Sequence, residues 1–109
     1  MVKARSLKKR YILFEFEGPE LDENSLKHGL YKEALRFFGE LGLSYAALKL
    51  ISYDPKKKKG ILRCERDYMD KVLGFLALLS SFDGSEARFI TVRSSGTLKS
   101  LERVVEETH

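Results

Sequence analysis

Apolar and polar residues alternate over residues 11–17, with Ile12, Phe14 and Phe16 on one side of an extended chain and Tyr11, Leu13 and Glu15 on the other. That period of two predicts a first strand, and Gly18-Pro19 stops it because proline has no amide hydrogen with which to continue a ladder. The period then lengthens. Leu26, Leu30, Ala34, Phe37, Phe38 and Leu41 recur at helical spacing, which predicts a helix from about Asp22 or Asn24 to Leu41 with Gly42 as its C-terminal stop. Two apolar runs at 45–53 and 61–65 flank Asp54-Pro55-Lys56-Lys57-Lys58-Lys59-Gly60, which predicts a β-hairpin with a lysine-tipped loop. Asp67 is placed to cap a second helix carrying Met69, Val72, Leu73, Leu76 and Leu79, and Asp83-Gly84 turns the chain into a fourth strand at 87–93. Gly96 then permits a sharp turn, and Thr97 caps a last helix with Leu98, Leu101, Val104 and Val105 on one face.

The resulting order, β-α-β-β-α-β with an added C-terminal helix, is the α+β, ferredoxin-like or RNA-recognition-like plan: an antiparallel four-stranded sheet with two helices on one face. Strand alternation assigns Ile12, Phe14, Phe16, Leu48, Leu50, Leu62, Cys64, Ile90 and Val92 to the helix-covered face. It leaves Tyr11, Leu13, Ile51, Tyr53, Ile61, Arg63, Phe89 and Arg93 on the other. A face that apolar needs a cover, supplied by the C-terminal helix folding back, by a protein or by RNA.

At 109 residues and 43% hydrophobic content the chain makes one domain, 1–109, with a single core and a basic, mobile lead over residues 1–9. Lys and Arg outnumber Asp and Glu by 20 to 16, which favours an acidic polymer as partner. The excess is uneven: Lys3, Arg5, Lys8, Lys9 and Arg10 all precede the first acidic residue, Glu15. A lone Cys64 in an apolar strand forms no internal disulfide and fits a reducing cytoplasm. The sequence has no apolar run of membrane-spanning length and no secretory signal pattern, so a membrane is not among the expected partners.

Catalytic chemistry finds little support. His28 lies on the first helix and His109 ends the chain, leaving no local pair for a metal or for acid–base work, and no phosphate-binding loop of the nucleotide type occurs. The RNA-recognition signature in the third strand wants a basic residue and glycine followed by alternating aromatics on which bases stack. Lys59-Gly60 match, but Ile61, Arg63 and Arg66 replace the rings, so RNA contact is expected through cations on the phosphate backbone. The segment Arg93-Ser94-Ser95-Gly96-Thr97-Leu98-Lys99 offers such a site: two cations beside the free N–H groups of a helix start. The plain alternative is an ordinary helix cap with two solvated basic side chains. The candidate RNA-binding residues are Lys8, Lys9, Arg10, Lys56, Lys57, Lys58, Lys59, Arg63, Arg66, Arg93, Ser95, Gly96, Thr97 and Lys99, with no catalytic or metal residue among them.

Four segments in this order resemble one family. Lys9-Arg10-Tyr11-Ile12, Gly39-Glu40-Leu41-Gly42, Gly60-Ile61-Leu62-Arg63-Cys64-Glu65-Arg66 and Ser95-Gly96-Thr97-Leu98-Lys99 are similar to the archaeal ribonuclease P protein component 2 family, over residues 8–105. The resemblance implies a non-catalytic subunit of a ribonucleoprotein that removes the 5′ leader from precursor tRNA. It further implies ribonuclease P RNA and the barrel-like protein component 3 as partners, precursor tRNA as an indirect one, and self-association giving a heterotetramer. The protein itself would bind no cofactor, and magnesium would serve the RNA. The competing reading is a generic basic RNA-binding or ribosome-associated protein of the same fold.

Overall fold

The computed structural model describes residues 8–82 and 84–107, the last four as helical backbone only. Most of the basic lead, one half of the Asp83-Gly84 turn, the side chains of Val104 and Val105, and His109 lie outside the described residues. The elements run β1 (Lys9–Glu17), α1 (Glu23–Ala46), β2 (Lys49–Asp54), β3 (Lys59–Glu65), α2 (Met69–Leu78), β4 (Ser81–Phe82), β5 (Ser85–Glu86), β6 (Arg88–Ser95) and α3 (Leu98–Glu107). The main sheet is ordered β2-β3-β1-β6 with every neighbour antiparallel, the predicted ferredoxin-like arrangement. β1 and β3 take the centre because both sides of their pleat are apolar: Ile12, Leu13 and Phe14 are buried in succession, as are Ile61 and Leu62.

α1 and α2 cover one face, with Leu26, Leu30 and Ala34 of α1 and Val72, Phe75 and Leu76 of α2 set against Ile12, Phe14, Phe16, Leu50, Leu62 and Cys64. Phe16 anchors an aromatic group, its ring centroid 5.0 Å from Phe89 and 5.5 Å from Phe82. Phe82 comes from the short β4–β5 hairpin, which the sequence pattern does not signal. Its ring fits because Gly29 carries no side chain: a Cβ there would sit 2.5 Å from the ring. Asp22 caps α1 as expected, accepting from the Ser25 N–H at 2.8 Å, and that bond holds its carboxyl below the ordinary value.

Several boundaries differ from the sequence reading. α1 breaks at Gly39, whose φ of 77° and ψ of 169° are not helical, then resumes to Ala46, with Ala47 in the left-handed region at φ 50°. Gly42 is therefore inside the resumed turn and not a stop, and residues 45–46, expected in the second strand, are helical. The apolar run around Leu43, Ala46 and Leu48 suits either period, and the helical option puts Ala46 fully out of solvent while Leu43 and Leu48 pack on the core. Asp67 does not cap α2. It sits in a 3₁₀ turn, Arg66–Tyr68, whose start is tied to the sheet by the Arg66 amide donating to the Lys8 carbonyl at 2.9 Å. β1 begins at Lys9, so the basic lead and the sheet overlap by that residue.

Two bulges change which residues share a face. Register shifts between Leu13 and Phe14 opposite β6, where Val92 is the extra residue, and between Leu50 and Ser52 opposite β3, where Ile51 is extra. Each inverts the alternation beyond it. Phe89 and Tyr53 thereby join the helix-covered core, while Ile90 shares the other face with Glu15 and Val92 is half exposed, against the simple alternation. On that other face α3 folds back as one of the expected covers, Leu101 being buried with Leu13 and Ile61 and flanked by Tyr11, Ile51 and Leu98. The open edge of β2 is closed by α1: the Leu50 N–H donates to the Tyr31 hydroxyl at 2.9 Å and the Tyr53 N–H to the Glu23 carboxylate at 3.2 Å.

Candidate functional site

Because β1 runs antiparallel to both β3 and β6, the start of β1 meets the ends of the other two. Lys8, Lys9 and Arg10 therefore lie at the same end of the sheet as Arg63, Arg66, Ser95, Gly96, Thr97 and Lys99. The lysine loop lies at the opposite end, where Lys59 pairs with Glu15. The sequence candidates thus divide into two basic zones, with Arg93 opposite Leu13 on the way between them.

Within the first zone several cations already have partners. Lys9 pairs with Glu65 at 2.6 Å, and Arg66 lies 3.7 Å from Asp67. Arg10 donates to the Lys9 carbonyl at 3.1 Å, and its guanidinium passes over Gly96, 3.1 Å from where a Cβ would stand. Gly96 does not occupy the left-handed region, so its lack of a side chain makes room for Arg10 and is not needed for the turn conformation expected from sequence. The Thr97 N–H donates to the Ser95 hydroxyl at 3.1 Å, so Ser95 takes up one donor at the helix entrance. Arg93, Thr97 and Lys99 are exposed, and Ser95 is half-buried.

The lysine run is not a free tip. Asp54 folds it back, its side chain accepting from the amides of Lys56 at 2.9 Å and Lys57 at 3.4 Å. Lys58 adopts φ 56°, donates its ammonium to the Gly18 carbonyl at 2.9 Å and accepts the Phe16 amide at 2.8 Å. Lys59 is a strand residue of β3. Of the four, Lys56 alone is exposed.

Sequence reasoning passed over Lys49. It stands opposite Arg63 across the β2–β3 ladder, and Arg63 in turn stands opposite Tyr11. The signal in the sequence is faint, because the residue becomes a strand start only once α1 is seen to continue to Ala46. Arg63 is half-buried, and its Nε is enclosed with no hydrogen-bond partner. Among the described residues the Tyr53 hydroxyl is a second enclosed side-chain atom without a partner, and its pKa is raised by burial and, secondarily, by the Asp54 charge. Cys64 is buried among the core residues. Desolvation, then Glu65, push its thiol up to about 11 against an opposing pull from Lys9. Among the described residues no three His, Cys, Asp or Glu side chains gather to hold a metal, and no helix is long and apolar enough to cross a membrane.

Apart from Val92, the large exposed apolar side chains among the described residues lie on the helices. Phe37 is 49% and Leu78 71% exposed, and they line one cleft with Phe75 and Leu79. Phe37 packs on both Phe38 and Phe75 at ring separations of 5.0 and 5.3 Å, so the cleft has a rigid aromatic wall.

The chain is similar to several known proteins. The Rpp14/Pop5 family model matches residues 10–105. Ribonuclease P protein component 2 of Pyrococcus abyssi is 38% identical over 97 residues, covering 88% of this chain and 82% of that protein. The protein of the same name from Archaeoglobus fulgidus is 35% identical over 97 residues, covering 88% and 86% respectively. In fold, a chain in the cryo-EM structure of yeast ribonuclease MRP superposes with a TM-score of 0.68 at 16% identity, covering 92% of this chain and 90% of that one. With the match running from Arg10 in β1 into α3, the chain belongs to the Rpp14/Pop5 family.

Proposed function

We propose that this chain is a non-catalytic, RNA-binding subunit of ribonuclease P, supporting an RNA that removes the 5′ leader from precursor tRNA. The observation that carries the reading is the family match over residues 10–105, with relatives named ribonuclease P protein component 2. The geometry is compatible with it: a sheet end carrying Arg63, Lys99 and nearby Arg93, where cations outnumber carboxylates and could neutralise phosphates. In this reading the RNA performs the hydrolysis with its own magnesium, and the complex works in the cytoplasm. A barrel-like protein component 3 is the protein partner, and the aromatic cleft of Phe37, Phe75 and Leu78 is a surface suited to such a contact. Self-association into a heterotetramer with that partner belongs to the same proposal.

The test is reconstitution with cognate RNA and protein component 3. Precursor tRNA cleavage is expected to rise on adding this chain, most visibly at low magnesium. Arg93→Ala with Lys99→Ala is expected to weaken that activation about thirtyfold at an unchanged melting temperature, since each exposed phosphate contact contributes ~1 kcal/mol. Cleavage by the protein alone, abolished by changing one of its side chains, would overturn the non-catalytic assignment. Binding to many RNAs with no effect on precursor tRNA cleavage would return the chain to a generic RNA-binding protein.

A further inference from the structure

Several of the described cations are engaged. Lys9 is paired with Glu65, Arg88 with Glu17 and Arg66 with Asp67, while Lys58 rests on a backbone carbonyl. Lys49 and Arg63 differ. They face each other directly across two strands, and no carboxylate among the described residues pairs with either. Like charges in that position repel, and the enclosed Nε of Arg63 adds the cost of a donor that donates to nothing. Both costs vanish if an anion arrives.

The surroundings define what kind. The row Lys49, Arg63, Tyr11, Ser95 crosses all four strands of the main sheet, on the face that carries α3. α3 packs on Leu13 and Ile61, its Glu102 shares a cleft with the β2–β3 hairpin, and Lys49 on that face is exposed. Tyr11, half-buried, stands next to Arg63 in the same row. A guanidinium, an ammonium and a tyrosine in line across a rigid sheet suit a phosphodiester with an unstacked nucleotide beside it.

We propose that Lys49, Arg63 and Tyr11 form an RNA subsite on the sheet, separate from the Arg93–Lys99 corner, that takes the backbone of a single-stranded or distorted segment with little base preference. This rests on the reading of the chain as an RNA-binding subunit. Terminal nitrogens of Arg63 meet the phosphate first, and a small swing of the side chain brings Nε to the second oxygen.

The experiment compares the full-length wild type with Lys49→Ala, Arg63→Met, their double variant and Arg36→Ala, a charge change on α1 away from the row. Binding to cognate ribonuclease P RNA and to a short oligouridylate is measured over a salt series, together with melting temperature. The double variant is expected to bind about tenfold more weakly, with a log–log salt slope reduced by about 0.7–0.9 for each phosphate that is no longer neutralised. Its melting temperature should be equal to or above that of wild type, because an apolar side chain replaces an unpaired donor. Arg36→Ala should bind as wild type. If wild type binds RNA and the double variant matches its affinity and slope, the subsite is wrong while the proposed function stands; if wild type binds neither RNA, the proposed function itself falls. Intact RNA binding with impaired capture of protein component 3 would make the row a protein interface and overturn the proposal. A melting temperature that drops with Arg63→Met would mark Arg63 as a packing residue, and Lys49→Ala, lying on the surface, would still read the slope.

Discussion

The two faces of the sheet are built differently. Under α1 and α2, sixteen buried residues from seven elements and a loop residue, Ala87, interlock around Phe14, Phe16 and Phe89. Under α3, among the described residues, the buried set is Leu13, Ile61 and Leu101. Apolar burial scales with area, so the first face holds the fold together and the second leaves room for polar residues, including Arg63, that a thick core would exclude. Function is expected where stability can tolerate unpaired groups.

The largest expected effect separates the faces by stability. Phe16→Ala should cost ~3–5 kcal/mol, enough to unfold much of the protein at physiological temperature, because its ring touches three aromatic neighbours that cannot close the gap. Leu101→Ala should cost nearer ~2 kcal/mol, with faster amide exchange confined to α3. Equal losses measured by denaturant titration would show one undivided core.

Cys64 probes how well the first face is sealed. With its thiol pushed from 9.0 to about 11, alkylation at neutral pH should be at least ~100-fold slower in the folded than in the unfolded chain. The raised pKa also means that the folded state keeps a proton the unfolded chain loses. This contribution to stability is fully present below pH 9 and is lost as pH rises towards 11, a fall that Cys64→Ala should flatten. Ready labelling of the native protein would mean that the helices open frequently.

The smallest effect has the opposite sign. Tyr53 stacks nearly parallel to Phe14, 6.2 Å between ring centroids, yet its hydroxyl is enclosed without a partner. Tyr53→Phe should keep the stack and remove the orphan, raising stability by up to ~1 kcal/mol in a thermal melt. A loss would reveal a hydrogen bond formed in solution, and the first face would then carry polar structure as the second does.

Legibility followed the range of the interactions. Asp22 as a cap, Leu26, Leu30 and Ala34 as a buried stripe and the strand around Phe14 depend on neighbours within a turn or two, and they stand where the pattern put them. The two bulges at Ile51 and Val92 depend on partner strands, so alternation alone sent Tyr53 and Phe89 to the wrong face. The same holds for the site. Arg93, Lys99 and the lysine run could be named from sequence as basic clusters, but the quenching of Lys9 by Glu65, the back-folded Lys58 and the gap that Arg10 fills at Gly96 are contacts between residues far apart in the chain.

Sequence alone determined the order of the four main strands and three helices, the ferredoxin-like plan and the family, because hydrophobic period and short motifs are written in consecutive residues. Tertiary structure alone decided where α1 breaks, which residues share a sheet face and which cations remain unpaired. Those outcomes depend on register, and register is set only when strands from distant parts of the chain lie side by side and one added residue inverts every side chain beyond it.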